Sequence, residues 1–278
     1  MQSLLENVNK NHFFSEPFPH IVVTDALDDT LCSRLIDEFP PINIVTESNQ
    51  YPSNERFSYS AHKVLGNPQI SELWREFIRV QTSDIFLKQF LDLFEQDIRR
   101  IYPSFEQEIA SVKTLKSGVR NIDEFPNVDI LLDAQICVNT PVVATPSVVK
   151  QAHLDRRQVL FAGLYYLRRP DDDSTGGDLE IYRFKNGKPY GFNQQFIDDK
   201  YVELVKTVKY ERNVLVLFLN SINSLHGVTV RSVTQSPRCF VNLIGEVKQH
   251  MFDWMLYQET KSWTDKFTQR IAKVFSHS

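Results

Sequence analysis

From residue 129 onward the chain reads as short β-branched and aromatic runs separated by turn residues, at 130–139, 148–155, 159–167, 178–184, 202–210, 214–219, 225–230 and 238–247. Eight short strands with helical patterns before them and after them predict a mainly β fold with N-terminal helices, a jelly-roll or cupin-like double-stranded β-helix of eight strands. The N-terminal third has a different texture. After Pro17 and Pro19 the run His20 to Thr24 predicts one strand, and Asp28 or Asp29 can cap a helix through Leu31, Leu35, Ile36 and Phe39 that Pro40 and Pro41 end. From Pro68, Ile70, Leu73, Trp74, Phe77 and Ile78 recur at helical spacing, and after Ser83 so do Phe86, Phe90, Leu93 and Phe94. Two consecutive helices, or one kinked helix, are expected to pack this aromatic stripe on the outer face of one sheet.

Residues 103–128 are weakly periodic and fit a surface excursion or lid. The expected organisation is one compact domain: a helical support region over 1–128, a catalytic core over 129–250, and a C-terminal helix over 251–278.

Composition narrows the function classes. Of 278 residues 42% are hydrophobic and 24% charged, as in an ordinary globular protein. A formal net charge of −4 and scattered Lys and Arg residues offer no basic field for phosphate backbones, so nucleic acid is not an expected partner. No apolar run reaches the roughly 20 residues that span a bilayer, and MQSLLENVNKNHFF lacks the pattern of a signal peptide, so a soluble cytoplasmic protein with no membrane partner is expected. Cys32, Cys137 and Cys239 are far apart and form no CxxC pair, which suggests buried thiols in a reducing compartment.

The candidate chemistry lies in His153-Leu154-Asp155. In a strand, alternate residues share a face, so an imidazole and a carboxylate can reach one metal while Leu154 points away. His226 follows the apolar run 214–219 and, in a double-stranded β-helix, returns to the same mouth. Two histidines and one carboxylate on one face of a metal are diagnostic of non-heme Fe(II) oxygenases, whereas a structural zinc site would close four ligands rich in sulfur. The other histidines, His12, His20, His62, His250 and His277, each stand alone. Activation of O2 on Fe(II) needs two further electrons, which a chelating 2-oxo acid can supply. Its far carboxylate then needs a buried cationic clamp. Arg238, which opens an otherwise apolar strand, suits this role through its planar fork. Arg231 is the rival, and alternation from His226 points it the other way.

From Gln135 to Val247 the chain resembles the 2-oxoglutarate and Fe(II)-dependent oxygenase superfamily, in particular its prolyl-4-hydroxylase-like branch. His153-Leu154-Asp155 looks like the HxD motif, Gly163-Leu164-Tyr165-Tyr166-Leu167 like the strand after it, and Gly176-Gly177-Asp178-Leu179 like the GG(D/E)L turn. His226-Gly227-Val228 with Arg238 looks like the distal histidine and the 2-oxoglutarate anchor. The opening Pro17 to Val23 before an Asp-capped helix is also similar. The resemblance implies a dioxygenase with Fe(II), 2-oxoglutarate and O2, in which Tyr166 joins Arg238 on the cosubstrate carboxylate. It implies hydroxylation of a C–H bond coupled to conversion of 2-oxoglutarate to succinate and CO2. The chain departs from relatives in two places: Phe240 replaces a Ser or Thr two residues after the anchor, and no tyrosine precedes HxD.

Asp155 occupies the position that halogenating relatives leave small, which favours hydroxylation, and Ile244 stands where nucleic-acid demethylases carry a second arginine. Desaturation or cyclisation with the same cofactors, and a cupin-like metal protein that does not use 2-oxoglutarate, are the alternatives. For the substrate, a small molecule, amino acid or peptidyl residue, Gln151 and Arg157 are candidates on the face of His153 and Asp155, with Arg156 and Asp171 to Asp173 at the rim.

Overall fold

The computed structural model describes residues 1–148 and 150–258. Its strands in chain order are β1 (Phe13–Phe14), β2 (His20–Val23), β3 (Arg56–Tyr59), β4 (Ser117–Val119), β5 (Ile130–Asn139), β6 (Val159–Tyr166), β7 (Leu179–Phe184), β8 (Phe192–Asn193), β9 (Phe196–Ile197), β10 (Val202–Val208), β11 (Val214–Leu219), β12 (His226–Val228) and β13 (Arg238–Val247). The large sheet runs β1-β2-β11-β6-β13-β5-β3, with β4 alongside β5, and the smaller sheet runs β10-β7-β12. Because the chain returns to the large sheet through β6, β11 and β13 and crosses to the small one through β7, β10 and β12, the architecture is a double-stranded β-helix.

Alternation along the large-sheet strands sorts the core into two compartments. Leu215, Leu217, Tyr165, Val241, Leu243, Ile136 and Val138 point outward into one cluster with the helices, whereas Val216, Phe218, Tyr166, Phe240 and Cys137 point between the sheets. The helices in chain order are α1 (Asp29–Asp37), α2 (Ile42–Thr46), α3 (Ala61–Gly66), α4 (Glu72–Gln81), α5 (Asp84–Ile101) and α6 (Phe105–Glu108), and α4 and α5 close the outer compartment with Trp74, Phe77, Phe86, Phe90 and Phe94. Phe90 packs 4.2 Å from the Phe161 ring and Phe77 6.1 Å from Tyr165. The two helices are separate: Thr82 ends the first, and the Ser83 hydroxyl accepts from Phe86 N–H to start the second. Asp28 caps α1 (Asp29–Asp37) by accepting from Thr30 and Leu31 N–H.

Seven of the eight expected runs are strands; 148–155 is not a regular one. Its backbone is divided between two neighbours. Lys150 O and the amide and carbonyl of His153 bond to the β12 strand, while Ala152 O and Leu154 N–H bond to the β8–β9 hairpin, so neither side forms a ladder. Within 103–128 lie a short helical turn, α6 (Phe105–Glu108), and β4, which extends the large sheet in parallel with β5. Most of the helix expected over 251–278 falls outside the described residues, which end in a single 3-10 turn, Trp254–Tyr257. No helix among the described residues is long and apolar enough to cross a membrane.

Candidate functional site

His153, Asp155 and His226 converge at one end of the space between the sheets, with ligand atoms all within 4.8 Å of one another. His153 Nε2 lies 3.9 Å from Asp155 Oδ1 and His226 Nε2 3.7 Å from Asp155 Oδ2. Each imidazole is oriented by a carbonyl two residues earlier: His153 Nδ1 is 2.7 Å from Gln151 O and His226 Nδ1 2.9 Å from Ser224 O. A carbonyl can only accept, so Nδ1 carries the hydrogen on both rings and Nε2 presents its lone pair to the centre of the cluster. Burial pushes the His153 pKa well below its usual value, helped by the nearby His226 and Lys150, and burial likewise lowers that of His226. Neutral imidazoles beside a carboxylate are the protonation states that a divalent metal requires. Leu154 turns the other way, fully buried against Phe184, Phe192 and Ile197.

Arg238 lies in the same cavity, 2% exposed. Its Nε donates to Gly177 O at 2.8 Å and its Nη1 to Asn139 Oδ1 at 3.2 Å. Aromatic rings of Tyr166, Tyr210 and Phe240 surround its Cζ at 4.9, 5.0 and 4.7 Å. The Gly176-Gly177-Asp178 turn builds this cradle. Both glycines have positive φ, and a Cβ on Gly177 would stand 3.0 Å from Arg238 Cδ. Asp178 accepts from Tyr210 N–H, and the Tyr210 hydroxyl accepts from Cys239 N–H, so the turn is tied to the start of β13. Nη2 of Arg238 is buried without a hydrogen-bond partner among the described residues, and so is the Tyr166 hydroxyl. Tyr166 packs against Arg238 and does not itself line the cavity. Burial raises its pKa despite the adjacent guanidinium, so the phenol stays a donor. A buried guanidinium with a free N–H is costly unless an acceptor meets it, and a carboxylate is the matching acceptor.

Arg231 is different. It is fully buried with an unpartnered Nε of its own, but both ends of its fork are bonded, Nη1 to Asn54 Oδ1 and Thr140 O and Nη2 to Ser236 O, and it does not line the cavity. The structure does not bring Gln151 or Arg157 into the cavity either. Because 148–155 is not a strand, the period-two face does not extend from Asp155 to Arg157. Gln151 is exposed, and Arg157 turns outward to Asp253 at 3.1 Å and to the Trp254 ring. Asp171, Asp172 and Asp173 stay outside as well, whereas Arg156 lines the outer part of the cavity.

Three wall residues escaped the sequence reading: Arg56, Lys150 and Asn242. Arg56 sits on β3, far from the motifs along the chain, and reaches the site only because β3 pairs with β5, where Arg56 stands opposite Asn139. Lys150 has odd spacing to His153, which in a strand would place it on the far face. Asn242 could have been found, since it shares the alternation of Arg238 and Phe240 along β13.

A double-stranded β-helix with a buried His-Asp-His metal-binding triad at its mouth defines the class to which the fold and site point. Neither a family model nor a curated protein matches the chain. Solved structures similar to it include a putative oxygenase from Shewanella oneidensis, 12% identical, with 92% of this chain and 90% of that one covered and a TM-score of 0.48. Another is a prolyl 4-hydroxylase from Phytophthora capsici, 16% identical, covering 89% and 65% with a TM-score of 0.44. A third is the Fe(II)/α-ketoglutarate-dependent dioxygenase TqaL, 10% identical, covering 87% of each chain with a TM-score of 0.39. The functional reading therefore rests on the chain's own residues.

Proposed function

We propose that this chain is an Fe(II)- and 2-oxoglutarate-dependent dioxygenase that hydroxylates an unactivated C–H bond of a small molecule. The observation that carries the reading is one cavity with two complementary ends: the Nε2 atoms of His153 and His226 with the Asp155 carboxylate, and the buried, incompletely bonded guanidinium of Arg238. A metal-binding barrel without a 2-oxo acid has no use for the second end.

In this reading His153 and His226, through Nε2, and the Asp155 carboxylate would hold Fe(II). Arg238 Nη2 would donate to the far carboxylate of 2-oxoglutarate, while the Tyr166 ring, 4.9 Å from the Arg238 Cζ, helps to hold the guanidinium in place. Phe218 and Leu179 line the apolar wall between the two ends and exclude water. The bound iron and cosubstrate supply the oxidation, in which O2 and 2-oxoglutarate become succinate, CO2 and one oxygen atom inserted into the substrate. Free, buried Cys32, Cys137 and Cys239 are compatible with the reducing cytoplasm in which we place the enzyme.

The test is succinate release from 2-oxoglutarate with added Fe(II). Release that stops on chelation and returns with iron is expected; release that is absent, or indifferent to iron, overturns the reading. A product heavier by one oxygen distinguishes hydroxylation from desaturation or cyclisation.

A further inference from the structure

Beyond the metal triad, the cavity continues into an outer chamber of about 450 Å3, with Arg56, Lys150, Asp155, Ala162 and Asn242 common to both parts. Its charges are not balanced. Arg120 lies 3.7 Å from Asp133 and 3.6 Å from Glu246, and Arg156 is 2.8 Å from Glu246, so these two cations have acidic partners. Among the described residues Lys150 has only Asp155 as an acidic partner, at 3.8 Å, a carboxylate that the metal would claim. Arg56 has no acidic partner among the described residues: its guanidinium stacks 5.2 Å from the Phe240 ring and makes one weak contact, Nη2 to Cys137 Sγ at 3.9 Å. The ring contact leaves the guanidinium N–H groups otherwise unpartnered among the described residues, on a side chain that lines the chamber.

A polar chain beside them has a defined direction. Asp133 can only accept, so Gln135 Nε2 faces it at 2.8 Å. Gln135 Oε1 then receives Asn242 Nδ2 at 3.1 Å. Asn242 Oδ1 is left as an acceptor on a side chain that, like Arg56 and Lys150, lines both parts of the cavity.

Resting on the proposed oxygenase activity, we infer that the primary substrate is a free α-amino acid whose carboxylate docks on Arg56 and Lys150 and whose amino N–H donates to Asn242 Oδ1. A carboxylate matches the planar fork of Arg56, the chamber is of small-molecule size, and one acceptor next to two cations suits a donor bonded near the acid. The side chain is then directed toward the metal.

The holoenzyme with Fe(II) and 2-oxoglutarate is assayed against the proteinogenic L-amino acids and, in parallel, their carboxamides, by mass gain of one oxygen and by succinate release above the substrate-free rate. At least one acid is oxidised, and its carboxamide falls on the order of 100-fold in kcat/KM. Arg56→Gln lowers the acid's kcat/KM and narrows the gap between acid and amide to less than 10-fold, while Arg56→Lys keeps part of it. Carboxamides as good as the acids, no oxidised acid in an enzyme that does release succinate, or full discrimination surviving in a folded Arg56→Gln protein each overturn the inference. Failure of Fe(II)-dependent succinate release altogether is a separate outcome, which overturns the oxygenase reading and this inference with it.

Discussion

His153 and His226 are hydrogen-bonded to each other through their backbones, His153 N–H to His226 O at 2.9 Å and His226 N–H to His153 O at 3.1 Å. This single antiparallel bridge sets their rings 4.3 Å apart, so the metal-ligand geometry is fixed by main chain even where no regular strand exists. Removing either side chain should leave the bridge in place. We expect His153→Ala and His226→Ala to remain folded, to retain less than a tenth of the wild-type iron by elemental analysis, and to release no succinate. Wild-type iron content in both variants would show that the ligands lie elsewhere.

The two buried arginines should respond in different measurements. Arg238→Ala removes the donor to the cosubstrate and should raise the KM for 2-oxoglutarate about 100-fold or more, with iron binding little changed. Arg231→Ala breaks three hydrogen bonds that tie Asn54, Thr140 and Ser236 together. It should destabilise the fold by roughly 2–4 kcal/mol in chemical denaturation, without a specific effect on 2-oxoglutarate. A KM effect confined to Arg231→Ala would exchange the assignments.

Gly176 has φ +77° and a Cβ there would stand 1.8 Å from Val230 O, so Gly176→Ala forces the turn apart. A loss of more than about 2 kcal/mol is expected. Gly187, with φ +66° and open space around it, is the control, and Gly187→Ala should cost only about 1 kcal/mol. Equal unfolding midpoints for the two variants would contradict this account.

Burial pushes the Cys239 thiol from 9.0 up to about 12, and it also raises the phenols of Tyr102, Tyr165 and Tyr210. Above pH 9 the unfolded chain releases a thiol proton that the native state keeps. The contribution of Cys239 is therefore complete below about pH 9 and is lost as pH rises toward about 12, at up to about 1.4 kcal/mol per pH unit for each such group. The urea midpoint should fall steadily from pH 9 to pH 10.5, and less steeply in Cys239→Ala. A constant midpoint over that range would refute the assignment.

Several features were legible in the order of residues alone because their physics is local. Period-two and period-3.6 patterns marked the strands and the helical run around Ser83, which left two helices or one kinked helix open until the structure showed two, and the Gly176-Gly177 turn was legible through the family resemblance. The spacing of His153 and Asp155 carried their common direction, because Leu154 between them is buried the other way, although the alternation stops on either side, at Gln151 and Arg157. Arg238 announced itself as a charge opening an apolar strand.

What the linear order could not supply was the identity of neighbours brought together by long-range pairing. Segment 148–155 has the composition of a strand, yet its hydrogen bonds are divided between β12 and the β8–β9 hairpin. That division turned Gln151 and Arg157 away from the cavity and turned Lys150 into it. Arg56 faces the site because β3 pairs with β5 in a register that sets it opposite Asn139, itself opposite Arg238. Side-chain direction follows from the local backbone and is therefore written in short stretches of sequence. Strand register and the sharing of backbone hydrogen bonds depend on contacts between distant segments, and these only the tertiary structure decides.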